Sequence, residues 1–356
     1  SWEMISLPLS WFLIFLLITN IVTTERRWLV FMLSFLLYSF KMSQHGFRTW
    51  ASIGFGFQSW GATGGPGWFH NSGEFGIQMC VFFPLSVAFF MALRQYWDRW
   101  TLILFVAMPV TAVASMIASS SRGALVGGAA VLAWMVLRSK YRVRGAIYGV
   151  LALALVVVLV PDEQKERFEA AGEDDTSIAR ITRWKNGVEI AQEYPILGIG
   201  YDNWYSFNLN RYGRGGLPHN HFIEAWSELG YIGLFSFLSL ILGTFWVNWG
   251  TRRIVRHLGE RGRFIHEMAH GLDGALIGYL VSGFFVTVLH YPYFWINLAL
   301  VVSLRICAEK SAGSRKTIRR SASPRRSVLA TSAGSTVGVS GPEVSNRRGA
   351  IQTPYR

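Results

Sequence analysis

Charge is scarce in this chain, and cysteine scarcer. Of 356 residues, 15% are charged, against 51% hydrophobic and 15% aromatic, a balance outside that of soluble chains of this length. The two cysteines, Cys80 and Cys307, both stand in apolar stretches, so neither a disulfide framework nor a thiolate metal site is supported. No DNA-binding motif accompanies the net charge of +13. The surplus sits in short loops and after Cys307, where membrane topology explains it better than nucleic acid does. No charged, cleavable leader precedes the first apolar run, so no signal peptide is expected, and a first residue of Ser1 points to truncation.

What is present is a series of apolar runs. Nine stretches, 5–22, 28–40, 75–93, 100–119, 123–137, 145–160, 229–249, 275–289 and 291–305, are expected to cross a bilayer as helices. Every second connection is basic: Arg26 and Arg27, Arg94 and Arg99, then 138–144, then 252–263. Loops rich in Arg and Lys stay cytoplasmic, so nine spans put the first residue outside and the last inside. The expected organisation is six spans in 1–161, an outer loop in 162–228, three spans in 229–307 and a basic, disordered cytoplasmic tail in 308–356. That tail meets anionic lipid or is simply solvated. The fold class is an all-α integral membrane protein.

The outer face collects the unusual residues. In 162–221, an acidic stretch opens with a short helix. Ser177 to Glu193 then carries Ile178, Ile181, Trp184, Val188 and Ala191 at helical spacing, with Arg180 and Arg183 near that stripe. Pro195 ends the helix, and Gly198-Ile199-Gly200 makes a turn lacking the strand before and helix after that a nucleotide fingerprint requires. His219 stands where the loop enters a membrane helix, placed either to cap that helix or to act as an acid or base. His219, His221 and Glu224 also read as metal ligands, but their spacing is not His-Glu-x-x-His and no third imidazole is near, so no metal is expected. Arg122 ends Ser119-Ser120-Ser121-Arg122 between two apolar runs. A guanidinium at a membrane boundary snorkels to lipid phosphate or meets a partner in a polar cavity. In either case its planar fork suits phosphate oxygens.

The order Ser-x-Ser-Arg122-Gly, Ser177-Ile-Ala-Arg180-Ile-Thr-Arg-Trp184, Pro195-Ile-Leu-Gly-Ile-Gly200, then His219-Asn220 leading to Glu228-Leu-Gly-Tyr-Ile-Gly233 resembles the O-antigen ligase and polymerase superfamily over roughly residues 75–304. The resemblance implies a lipid-donor glycosyltransferase-like bundle in the bacterial inner membrane with a large periplasmic loop, here short of one or more N-terminal helices. It implies transfer of a glycan from an undecaprenyl-diphosphate carrier to a glycan, lipid or protein acceptor, in lipopolysaccharide, exopolysaccharide or O-glycan assembly, without cofactor or metal. The family's functional residues map onto Arg122, Arg180 and His219. The arginines would hold the diphosphate, and His219 would take the acceptor's proton. Arg183 and Lys185 are further diphosphate contacts, and Asn220 and Glu224 would orient the histidine. Trp68, His70, Asn71 and Glu74 suit sugar stacking or an interfacial belt. A repeat-unit polymerase, a transporter of an anionic solute and a scaffold subunit are the other readings. Against transport, the sequence shows no paired repeats with broken midplane helices.

Overall fold

Backbone polar groups inside hydrocarbon must be satisfied within their own segment, which leaves helices as the natural outcome for runs this apolar. The computed structural model describes residues 2–64, 69, 71–139 and 142–321, and the described residues contain α- and 3-10 helices and no strand. The chain is therefore all-α. In order, the α-helices are α1 (Trp2–Ile21), α2 (Glu25–Ser52), α3 (Ser72–Leu93), α4 (Arg99–Ala118), α5 (Arg122–Arg138), α6 (Arg142–Leu159), α7 (Asp162–Glu169), α8 (Asp175–Glu193), α9 (Trp204–Tyr212), α10 (His221–Val255), α11 (Arg263–Gly283) and α12 (Pro292–Ser321). Trp68, His70 and residues 322–356 of the expected tail lie outside the described residues, whereas 308–321 continue α12 as helix.

Among the described residues, four stretches are long and apolar enough to cross a membrane: Ser72–Tyr96, Arg99–Ala118, His221–Gly283 and Pro292–Gly313. A fifth arises if Val143–Leu159 and Asp162–Glu169, bent by 105°, form one broken span. Ser6–Ile21 is a shorter apolar helix. The nine expected runs all fall wholly or largely on helices, but α2 carries Lys41, His45 and Arg48 in its second half and α5 has 17 residues. The eighth run differs most. Its helix starts at Arg263, not at 275, because the polar stretch read as loop is satisfied within the bundle: Asp273, fully buried, accepts from Asn248 at 2.7 Å and from Arg252.

Lipid-facing surface follows the sequence. Leu9, Phe12, Val110, Val143, Val150, Val158, Leu242 and Trp246 are exposed, more apolar surface than water tolerates. The interior is centred on α11, which packs most extensively on α3 and also on α5 and α10. Small residues make those approaches close. A Cβ on Gly278 would stand 2.8 Å from the Cys80 carbonyl oxygen of α3, and one on Gly127 of α5 would overlap the Ser282 hydroxyl, as membrane helix packing favours.

Two sequence motifs meet in the backbone. Gly230 interrupts α10 with φ 65°, ψ −163°. Against this break the segment after Pro195 forms four backbone hydrogen bonds: Ile199 and Gly200 donate to the Ser227 and Glu228 carbonyls at 3.0 and 2.9 Å, and Tyr231 and Ile232 donate back to Pro195 and Ile196 at 2.7 and 3.4 Å. The chains pass so close that a Cβ on Gly198 or Gly230 would lie 2.4 or 2.3 Å from opposing backbone atoms, and both glycines have positive φ. The Gly-x-Gly turn is thus a splice between loop and helix, a use that needs no phosphate.

Candidate functional site

Arg122 begins α5, and Ser121 caps that helix by accepting from Ala124 N. The side chain reaches back to the outer loop. Nη1 donates to Asp174 Oδ2 at 2.8 Å and to the Arg167 carbonyl at 2.7 Å, while Nη2 donates to Asp174 Oδ1 at 3.3 Å and to Ser177 Oγ at 3.2 Å. Asp174 in turn caps α8 by accepting from Ser177 N. Its carboxyl is held far below the usual range, first by the Arg122 hydrogen bond and then by Ser177, with burial opposing. Arg122 therefore clamps the loop to α5 and has already filled its fork.

Arg180 has not. One turn further along α8 it lines, with Arg122, Ser177, Phe168, Trp184 and Phe285, a cavity of ≈ 350 Å³. Its Nε is buried without a hydrogen-bond partner among the described residues. Burial, then the charges of Arg122, Arg167 and Arg183, pull its pKa down against a counter-pull from Asp174. Arg167 is depressed likewise by burial and by Arg122. Four guanidinium groups thus influence one another near one carboxylate, an arrangement that favours an added anion.

His219 completes the group from the loop. It adopts φ 50°, a left-handed conformation costly for a non-glycine residue, and its N–H donates to Thr287 Oγ1 at 2.9 Å. Trp184 Nε1 fixes the neighbouring residue by donating to the Pro218 carbonyl at 2.9 Å, while its ring meets Phe284 edge-on. Burial first, then the charges of Arg180 and Arg183, lower the His219 pKa to about 4. The imidazole is therefore neutral at pH 7, and its protonated form is disfavoured as long as those charges stand uncompensated.

The other expected contacts separate. Arg183 is half-buried, and a Cβ on Gly216 would touch its guanidinium at 2.9 Å. Lys185 is exposed and does not line the cavity. Asn220 caps α10, its Oδ1 accepting from Phe222 and Ile223 N at 2.9 and 3.2 Å, so it serves the helix start. Glu224 faces His290, whose Nε2 is 3.2 Å from its Oε1. His221 turns away from both, fully buried and stacked on Tyr279 with ring centroids 5.3 Å apart, so the trio His219, His221 and Glu224 is not assembled.

Asp174, Ser177, Arg167, Thr287 and His290 were not expected. Asp174 carried a cap signal, an acidic residue three before Ser177 at a helix start, but its partner Arg122 is 52 residues away. His290 falls between the apolar runs 275–289 and 291–305, where the sequence marks only a boundary between two spans.

Residues 107–238 match the family model described as O-Antigen ligase. The matched stretch contains Arg122, Asp174, Arg180 and His219 and ends before Thr287 and His290. No curated protein matches the chain.

Proposed function

Taking the chain as a member of the O-antigen ligase superfamily, on the match of residues 107–238, we propose that it transfers a glycan from an undecaprenyl-diphosphate carrier to an acceptor at the periplasmic face of the bacterial inner membrane. The observation that carries the reading is Arg180: a guanidinium with a buried, unpartnered Nε on a cavity at the loop–span junction. A lipid-linked donor presents its diphosphate at that depth.

Arg180, with Arg183 behind it, holds the diphosphate and stabilises the negative charge that builds as the sugar–phosphate bond breaks. Arg122 supports this charge field through its clamp on Asp174. His219, neutral and facing the same cations, takes the proton of the acceptor hydroxyl as that oxygen attacks the anomeric carbon. The sugar's bond to carrier phosphate breaks, a bond to the acceptor forms, and the carrier diphosphate leaves as the anion. These steps need no metal at the reacting centre. Arg183 contacts the diphosphate from the same helix face, while Asn220 and Glu224 act through the backbone and cluster that carry His219. In this reading the first residue lies outside and the last inside.

The test supplies purified protein with a lipid-diphosphate oligosaccharide and a panel of acceptors, and the same protein in vesicles with anionic solutes. Product with a lipid or protein acceptor supports a ligase, and product only with a second donor-linked glycan makes it a polymerase. No product with any acceptor, together with solute uptake, would replace the reading with a transporter.

A further inference from the structure

A second cluster of buried chemistry lies outside the arginine cavity. Glu224 and Glu228 stand four residues apart on the first segment of α10, 3% and 2% exposed, and so share one helix face. His290 meets them from the connection between α11 and α12. Its Nε2 is 3.2 Å from Glu224 Oε1 and 3.7 Å from Glu228 Oε2, and one donor atom from each of the three lies within 4.8 Å of the others. Glu224 Oε2 is buried with no hydrogen-bond partner among the described residues. Glu228 accepts from Asp202 N at 3.1 Å and Trp204 N at 3.0 Å, which leaves each of its oxygens a second lone pair.

Charge makes the cluster incomplete. With both carboxyls ionised, two buried carboxylates facing one imidazole retain a net negative charge even when that imidazole is protonated, and such a charge is costly unless a proton or a cation offsets it. A dication cancels both carboxylates and leaves the imidazole neutral. The donor separations agree, since atoms 3.2 and 3.7 Å apart can flank one ion at bonds of about 2.0–2.2 Å. His290 and Tyr201, whose rings meet edge-on at 4.5 Å, also line a largely apolar cavity of ≈ 240 Å³ beside the cluster.

We propose that Glu224, Glu228 and His290 bind a divalent cation. Mixed imidazole and carboxylate donors, with no thiolate, suit an ion of the Zn²⁺ or Mn²⁺ kind better than a soft ion such as Cu(I). Its role is positional. Glu228 holds the amides of Asp202 and Trp204, and His290 lies three residues after Thr287, which receives the His219 N–H. One ion would therefore fasten the outer loop, the start of α10 and the α11–α12 connection together. The site goes beyond glycan transfer, and its test does not use transfer, so failure of one is distinguishable from failure of the other.

Full-length protein in detergent is stripped with EDTA, loaded with Zn²⁺ or Mn²⁺, desalted and assayed by plasma mass spectrometry, with thermal unfolding alongside. Wild type should retain about one equivalent and unfold at a higher temperature when loaded. Glu224→Gln and His290→Ala should each lose about ten-fold or more of the retained metal, whereas Glu189→Gln, an exposed carboxylate beside Arg211, should match wild type. Wild type that retains neither ion and gains no thermal stability would overturn the proposal, leaving an imidazolium bridging two carboxylates. Equal retention in wild type and His290→Ala would overturn it too. If a variant fails to fold, the wild-type measurements still decide.

Discussion

Arg122 and Arg180 read alike in the sequence, yet their surroundings predict opposite costs when they are removed. Arg122→Ala strips a half-buried Asp174 of its main partner and should lower stability by about 2–3 kcal/mol, seen as a lower thermal midpoint. Arg180→Ala relieves crowding among like charges, so its midpoint should hold or rise while transfer falls by about 100-fold or more. A fall in midpoint as large as that of Arg122→Ala would mean that Arg180 is structural. His219 gives a prediction in pH. Its folded pKa lies below the ordinary 6.5, near 4, because burial and the Arg180 and Arg183 charges disfavour the imidazolium. The neutral form is the base, so kcat/KM should stay level as pH falls through 6.5 and decline only near 4. A bound diphosphate offsets those cationic charges, which should move the limb in kcat to higher pH than that in kcat/KM. An inflection of kcat/KM at 6.5 would argue against the assignment.

At the scale of elements, the loop is held to the bundle by backbone. Gly198 and Gly230 take positive φ where any Cβ would collide with opposing main chain. Gly198→Ala or Gly230→Ala should therefore cost at least about 1–3 kcal/mol, measurable as a lower midpoint in detergent, whereas Gly243→Ala, with open space around it, should not. How legible these elements were depended on their range. Helices such as α3 and α4 could be read locally because a nearly unbroken apolar run makes up most of each. Asp174 has a local cap pattern, an acidic residue three before Ser177, that the sequence reading left unused, and nothing near it marks Arg122, 52 residues away, as its partner. The start of α11 was misplaced because Glu267, His270 and Asp273 look like loop until Arg252 and Asn248, some two dozen residues earlier, are brought against Asp273. His290 was missed for the same reason, its carboxylate partners lying more than 60 residues away.

For the whole molecule, the reading requires the arginine cavity and the basic connections to lie on opposite sides of the membrane. Both native cysteines are buried, so single-cysteine variants report cleanly. Lys185→Cys should react with a membrane-impermeant maleimide in intact spheroplasts, and Arg256→Cys only after permeabilisation; the reverse pattern would invert the topology. The central claim is that a lipid diphosphate meets Arg180 and His219 at the junction of loop and bilayer. Its most direct test is transfer by purified protein from a lipid-diphosphate oligosaccharide, comparing wild type with Arg122→Ala, Arg180→Ala and His219→Ala at matched folded concentration. The account predicts product from wild type and a loss of about 100-fold or more in Arg180→Ala and His219→Ala, with Arg122→Ala also impaired. Undiminished transfer by all three variants would contradict it.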